Sequence, residues 1–210
     1  TAGTVTTTGS TLNIPFSATL NTSGMTWANV TVATSGTAVT LTSNLNLTGT
    51  LNFTHTSSIN GNNVNVGGSL TLTGTPIIVS GSTTINLIGT GTWSAGAGSY
   101  LSTNLTINTS GTITISGNIY FYTGTLTYTA GTVLTAGSTL NCVAPSAMTT
   151  TFNTNGITWN NVVISGPATI SLTSNFTCAN ATLGSGTTTT INSNTMFITG
   201  NLSIATSIVI

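Results

Sequence analysis

Very few residues of this chain could carry chemistry. The 210-residue sequence contains no Lys, Arg, Asp or Glu, and its reactive side chains are one histidine, His55, and two cysteines, Cys142 and Cys178. Most glycosidases and aspartic proteases need a pair of carboxyl groups, and a Ser-His or Cys-His nucleophile needs a base beside it. We interpret His55 as a structural or exposed turn residue, and we expect that the chain is not an enzyme.

The same absences limit what the chain can bind. Nucleic-acid binding depends on Lys and Arg that neutralise phosphates. Calcium sites need carboxylates, and one His with two distant Cys makes a poor zinc set. The longest apolar runs are far shorter than the roughly 20 residues that span a bilayer. We therefore expect no catalytic residue, no cofactor, no metal, no nucleic acid partner and no membrane insertion.

The composition indicates where such a chain works. Thr, Ser, Asn and Gly make up 125 of the 210 residues. Without charges, folding stability has almost no linkage to pH outside extremes and little to salt, but the chain also lacks the repulsion that keeps soluble domains apart. Because the chain does not begin with Met, we expect a processed product. We expect it to be secreted or displayed on a cell or virion surface, where it assembles into fibres or carries a glycan coat.

Short runs in which apolar residues alternate with Thr, Ser or Asn fill the sequence. Leu70-Thr71-Leu72-Thr73 and Thr112-Ile113-Thr114-Ile115 are typical of them. An apolar period of two predicts β-strands with one buried face, and the Gly, Asn and Ser between the runs supply turns. No segment has the apolar stripe of a helix. The sequence therefore predicts an all-β protein.

An internal repeat organises these strands. The dipeptide Thr-Trp recurs at Trp27, Trp93 and Trp159 with the same 66-residue spacing both times, and flanking segments recur with it. Three coils of roughly 22 residues would fill one module, and about ten stacked coils would form a rod on the order of 45 Å long. We predict one domain folded as a right-handed β-helix or β-solenoid of three imperfect modules, with a β-sandwich or jelly roll as the alternative. The domain covers 1–210, with modules of roughly 1–66, 67–132 and 133–210.

The repeat style resembles that of known extracellular proteins. Gly49-Thr50-Leu51-Asn52-Phe53 and Gly68-Ser69-Leu70-Thr71-Leu72-Thr73-Gly74 resemble segments of β-helical adhesins, autotransporter passengers and extracellular filament subunits. The resemblance covers nearly the whole chain and implies surface display. Passenger domains keep scattered Asp and Lys on their solvent face, so the charge-free composition is more similar to that of filament subunits, archaeal ones included.

The repeat also suggests places for the sulfur-containing and aromatic residues. Cys142 and Cys178 align with apolar residues of other copies, which indicates core positions. A disulfide between them is an alternative if the protein folds in an oxidising compartment. The spacing of the tryptophans indicates core or coil-stacking positions. Alternating residues of a strand face opposite sides, so Tyr120 and Tyr122 face outward together and, with Tyr128, form a candidate contact surface.

Nine Asn-x-Ser/Thr sequons are candidate N-glycosylation sites in a glycosylating host. They are Asn21, Asn29, Asn46, Asn52, Asn104, Asn108, Asn175, Asn180 and Asn201. In the repeat alignment, Asn29 and Asn104 match Asn161, which does not belong to a sequon. This position therefore indicates a structural Asn at a turn or in a stack.

The C-terminal segment is an apolar strand without a charged residue that would discourage pairing. Its candidate assembly residues are Ile204, Ile208, Val209 and Ile210. Solenoid ends expose N–H and C=O groups that can pair with another chain. We expect a structural subunit of an extracellular or cell-surface fibre, which forms a homopolymer through strand edges or solenoid ends. The alternatives are an adhesin or virion fibre that binds glycans and an ice-binding protein with outward Thr-x-Thr pairs.

Overall fold

A computed structural model describes the chain over residues 7–33, 35–74, 78–143, 147–190 and 192–205. This part of the chain contains 23 β-strands and no helix. Every strand pairing in it is parallel, and partners come from successive turns of the chain. The β-solenoid predicted from the sequence is thus confirmed, and the sandwich alternative, which requires antiparallel sheets, is wrong.

The strands follow one another at short intervals. In chain order they are β1 (Thr11–Ile14), β2 (Ala18–Leu20), β3 (Thr26–Trp27), β4 (Asn29–Val32), β5 (Thr37–Leu41), β6 (Leu45–Leu47), β7 (Leu51–Phe53), β8 (Ser57–Gly61), β9 (Val64–Val66), β10 (Leu70–Leu72), β11 (Ile78–Leu87), β12 (Gly91–Ala95), β13 (Tyr100–Ser116), β14 (Asn118–Phe121), β15 (Gly124–Leu134), β16 (Thr139–Val143), β17 (Met148–Asn153), β18 (Thr158–Ser165), β19 (Ala168–Leu172), β20 (Phe176–Leu183), β21 (Thr188–Thr190), β22 (Met196–Ile198) and β23 (Leu202–Ile204).

Three ladders of parallel strands run along the solenoid. The first ladder contains β1, β4, β7, β10 and β12, followed by the last parts of β13 and β15. On the same side, near the C-terminal end, β18 pairs with β20 and β20 with β22. The second ladder runs β2, β5, β8, β11, β13, β14, β16, β18, β20, β23. The third runs β3, β6, β9, β11, β13, β15, β17, β19, β21. The long strands belong to more than one ladder because they continue round the corners.

Coil length varies along the stack. Leu12 and its register partner Val30 lie one coil apart, and so do Leu126 and its partner Phe152. The first pair is closer together in the sequence than the second. The stack has about nine turns, close to the number predicted from the sequence. The average coil is near the predicted length, but no fixed repeat holds from one coil to the next.

The alternation of apolar and polar residues decides which side chains enter the interior. In β6, β7, β9 and β10 the two apolar residues are buried and the middle Asn or Thr is partly exposed. These inward side chains form one continuous core along the whole stack. Each inward apolar residue packs on an inward residue of the neighbouring coil. The inward side chains of every internal coil are therefore covered on both sides.

The tryptophans take different places in this core. Trp93 and Trp159 are fully buried, as predicted, and Trp27 is partly buried and packs against the core. Trp93 faces Leu70 in the first ladder, whereas Trp27 faces Leu47 in the third. Their constant spacing in the sequence therefore does not bring all three tryptophans to one side of the solenoid.

Hydroxyl groups satisfy buried carbonyl groups at the corners of the coils. Thr103 shares its one hydroxyl proton between the carbonyl oxygen of Thr83 at 2.5 Å and that of Gly81 at 3.1 Å, and Thr150 donates to the carbonyl oxygen of Tyr122 at 2.8 Å. All three bonds join different coils. A buried polar group that keeps its hydrogen bond costs little stability, so threonine can line the corners of this charge-free interior.

A ladder of asparagines connects three successive coils on the outside of the third ladder. Asn65 donates from Nδ2 to Oδ1 of Asn46 at 2.8 Å, and Asn86 donates in the same way to Asn65 at 2.8 Å. Each amide uses its oxygen to accept from one neighbour while its NH₂ can donate to the other. The middle residue of the ladder thus makes two hydrogen bonds between coils.

Replacing Asn65 by Ala is expected to lower the free energy of unfolding by about 1–3 kcal/mol, because each of the two lost hydrogen bonds contributes about 0.5–1.5 kcal/mol. Urea denaturation followed by circular dichroism measures the loss. The matched control is Asn108→Ala, at an exposed asparagine whose side chain makes no hydrogen bond within the described part of the chain. A control that loses as much stability as Asn65→Ala would contradict the role of the ladder.

Candidate functional site

The only histidine lies at an exposed turn between β7 and β8. The side chain of His55 is exposed, and its Nδ1 lies 2.9 Å from Oγ1 of Thr54 in a hydrogen bond. The described residues contain no group of three His, Cys, Asp or Glu that could hold a metal ion. They also include no helix long and apolar enough to cross a membrane.

The two cysteines are core residues, as predicted from the repeat. Cys142 is 1% and Cys178 0% exposed, and both are free thiols, so the candidate disulfide is not formed in the structure. They also lie on different sides of the solenoid. Cys142 faces Ile164 in the second ladder, and Cys178 faces Trp159 on the side of the first ladder. Burial raises the pKa of Cys178 to about 11 and that of Cys142 still higher.

Three of the four tyrosines form a cluster on the outside of the second ladder. Tyr100 and Tyr120 are register partners in adjacent coils, and both are partly exposed. The rings of Tyr100 and Tyr122 stack with their centroids 3.9 Å apart and an interplanar angle of 24°. The ring of Tyr120 meets that of Tyr122 edge-on, at 6.5 Å and 84°. Phe121, between them in sequence, points into the core.

This tyrosine cluster, defined as Tyr100, Tyr120 and Tyr122, differs in one member from the predicted contact surface. Tyr128 packs against the core and donates its hydroxyl to the carbonyl oxygen of Gly131 at 2.7 Å. Tyr100, which sequence reasoning missed, takes its place. Burial raises the pKa of Tyr122 above its ordinary value of 10.0, and the neighbouring hydroxyls of Tyr100 and Tyr120 act in the same sense.

Most of the sequon asparagines hold coils together. In six of the nine, Oδ1 accepts a hydrogen bond from the next coil: Asn29, Asn46, Asn52, Asn104, Asn175 and Asn180. For Asn29 and Asn104 the donor is the backbone N–H of Thr50 and Thr125, at 2.9 Å in both cases. The matching Asn161 accepts from Nδ2 of Asn180 at 3.0 Å. The structural role predicted for this position is confirmed.

The other three sequons have more accessible asparagines. Asn21, Asn108 and Asn201 are exposed, and Oδ1 of Asn21 accepts hydrogen bonds from Ser23 within its own turn. A bulky group on any of these three would meet solvent, whereas one on Asn29 or Asn104 would lie against the next coil. Glycosylation itself stays a prediction.

The outward threonine pairs do not share one side of the solenoid. Thr71 lies in the first ladder beside Asn52, and Thr125 and Thr127 lie in the third, facing Thr151 and Asn153. The Thr48 and Thr50 pair falls on the corner between β6 and β7. These pairs therefore do not stack into one array of threonines.

The C-terminal end of the described stack carries exposed apolar side chains. Leu202 and Ile204 of β23 are 48% and 53% exposed. Their register partners one coil earlier, Ala181 and Leu183, are 3% and 5% exposed. The inward columns of the second ladder thus run to β23, the last strand of the described part of the chain, and its apolar side chains are partly uncovered. Of the predicted assembly residues, Ile208, Val209 and Ile210 lie outside the described residues.

Comparison of the chain with protein-family models, with curated proteins and with solved structures gives no match.

Proposed function

We propose that this protein is a structural subunit of an extracellular or cell-surface fibre in which copies stack end to end through the ends of the solenoid. The observation that carries the proposal is the half-exposure of Leu202 and Ile204 at register positions that are buried one coil earlier. Burying apolar surface contributes about 25 cal/mol per Å². A further coil above β23 would bury both side chains.

The backbone edges at the two ends are complementary. In the described part of the chain, β21, β22 and β23 pair only with the preceding coil, and β1, β2 and β3 pair only with the following one. One copy can therefore place β1 on β22 of another and β2 on β23, with both ladders kept parallel. Such a head-to-tail contact does not close on itself, so it builds a filament.

The absence of charge favours a second copy as the occupant of this end. Exposed strand edges are normally protected by Lys, Glu or Pro that discourage pairing, and the sequence has no charged residue at all. The N-terminal end of one copy and the C-terminal end of another, both without charge, meet without electrostatic repulsion. The lack of Asp and Glu keeps stability nearly independent of pH from acid to neutral conditions, which suits a fibre exposed to changing surroundings.

The proposal predicts filaments whose formation depends on Ile204. Wild-type protein is expected to form filaments one solenoid wide at rising concentration, with an axial repeat on the order of 45 Å per copy. Ile204→Lys is expected to keep the protein monomeric, because a buried unpaired charge at the contact is costly. Negative-stain electron microscopy and light scattering measure both outcomes.

The matched control is Leu134→Lys, which places the same charge at a leucine 50% exposed on the body of the solenoid. This variant should still form filaments, since β15 lies in the middle of the stack. Wild-type protein that stays monomeric at every concentration would overturn the proposal. Filaments of Ile204→Lys that match those of the wild type would overturn the assignment of this end.

A further inference from the structure

The stacked tyrosines join two successive coils on the outer surface. Tyr100 opens β13 and Tyr122 directly follows β14, where its backbone N–H donates to the carbonyl oxygen of Leu101 at 3.0 Å. The backbone ladder therefore fixes the distance between the two side chains. Their ring centroids are 3.9 Å apart, and both rings are partly exposed. Two phenols are thus held in contact where a soluble reagent can reach them.

We propose that Tyr100 and Tyr122 are a modification site at which a one-electron oxidant, such as a peroxidase that uses hydrogen peroxide, forms a dityrosine bond between neighbouring coils. This inference does not depend on fibre assembly. The bond would be a covalent link between coils in a chain whose two cysteines are separate buried thiols.

The reaction balances as a two-electron oxidation. Each phenol loses one electron and one proton, and the two phenoxyl radicals form a carbon–carbon bond between ring positions ortho to the hydroxyls. Loss of the two ortho hydrogens as protons to solvent, with a proton returned to each oxygen, restores both aromatic rings. One hydrogen peroxide takes up two electrons and two protons and becomes two waters. The chain loses two hydrogen atoms in total, and one ring must rotate from the stacked position so that the ortho carbons meet.

Holding the two rings together favours coupling within the chain over coupling between chains. Well-oriented groups in one molecule react as if at very high local concentration. The position of Tyr120, edge-on to Tyr122 at 6.5 Å, makes it the less favourable partner. The exposed surface offers few competitors, because both thiols and two of the three tryptophans are buried. A radical on one ring therefore persists until the neighbouring ring is oxidised as well and the two radicals couple.

The test treats dilute protein with horseradish peroxidase and hydrogen peroxide. Intact mass spectrometry is expected to show a monomer lighter by two hydrogen atoms, with the blue fluorescence of dityrosine. Peptic digestion then identifies the linked peptides, since the chain has no Lys or Arg for trypsin to cut. The yield should not change with protein concentration. Tyr122→Phe and Tyr100→Phe, which keep the ring, are each expected to reduce this yield at least about tenfold.

Two control variants remove hydroxyls that lie outside the stacked pair. Tyr120→Phe and Tyr128→Phe should give the wild-type yield, because Tyr128 lies against the core with its hydroxyl bonded to Gly131. The same reaction in the Ile204→Lys variant separates this inference from fibre assembly, since the link should form in a monomer. Dityrosine found only between chains, an unmodified monomer, or a link that survives in Tyr122→Phe would overturn the proposal.

Discussion

Replacing Gly81 with Ala is expected to destabilise the solenoid by more than about 4 kcal/mol, a loss that single substitutions seldom cause. Gly81 has a φ of +133°, which side chains rarely adopt, and a Cβ there would lie 1.7 Å from the carbonyl oxygen of Ile59. That oxygen belongs to the backbone of the preceding coil, so the clash can be relieved only by separating two coils. Thermal unfolding followed by circular dichroism measures the effect, and a chain that fails to fold is its extreme form.

Gly117→Ala is the control that separates backbone strain from crowding. Gly117 also has a positive φ, +71°, but no atom lies within 4 Å of the place a Cβ would take. The cost expected there is that of the left-handed conformation alone, about 1–2 kcal/mol. Equal losses in the two variants would show that close packing between the coils at Gly81 contributes nothing, which would contradict the geometry of this corner.

Such contacts show what the sequence could and could not predict. The alternation in Leu45–Leu47 and Leu51–Phe53 predicts strands with two buried residues each, and the structure has them. Gly81, in contrast, lies within the single strand assigned to Ile78–Leu87, although the chain turns from the second ladder to the third there. The alternation of apolar residues in a strand predicts which side chains are buried. The position of a corner depends instead on the backbone of the neighbouring coil, which the local sequence does not determine.

The sequence did not predict the complete tyrosine cluster, for a related reason. Period two predicts correctly that Tyr120 and Tyr122 share the outer side of a strand. Tyr100 joins them only through the register between coils, which sets it beside Tyr120 one coil later. The predicted coil length was a usable signal, since one coil of that length would place Tyr100 beside Tyr122. The variation in coil length along the stack makes any such alignment uncertain by several positions.

The asparagines were more predictable because the chemistry of their side chains limits their roles. An Asn that recurs at one place in the repeat while its sequon does not is explained by a hydrogen bond rather than by a glycan. The structure supplies that bond: Asn29 and Asn104 each accept an N–H from the next coil. Which partner they bond could not be predicted, since Thr50 and Thr125 belong to other coils and are fixed only by the register.

Stability is expected to stay constant from acid to neutral pH and to fall steeply above about pH 9, because the groups that titrate with a large shift are the two core thiols. Burial raises the pKa of Cys178 to about 11, and that of Cys142 further, from an ordinary value of 9.0. Below about pH 9 both thiols are protonated in the folded and in the unfolded chain. Above it the unfolded chain loses its protons first, so it binds fewer protons than the folded chain and stability falls as pH rises.

The expected slope is about 1.4 kcal/mol per pH unit for each thiol, or roughly twice that for the pair, in urea denaturation between about pH 9 and about pH 11. The raised pKa of Tyr122 adds a further loss above its ordinary value of 10.0. The double variant Cys142→Ala and Cys178→Ala should start from a lower stability at neutral pH, because two core side chains are truncated, but keep most of it until the loss from Tyr122 begins. The acid side should stay flat in both proteins, since the sequence has no Asp or Glu to be protonated. An alkaline loss of the same slope in the double variant would mean that the thiols are not its source.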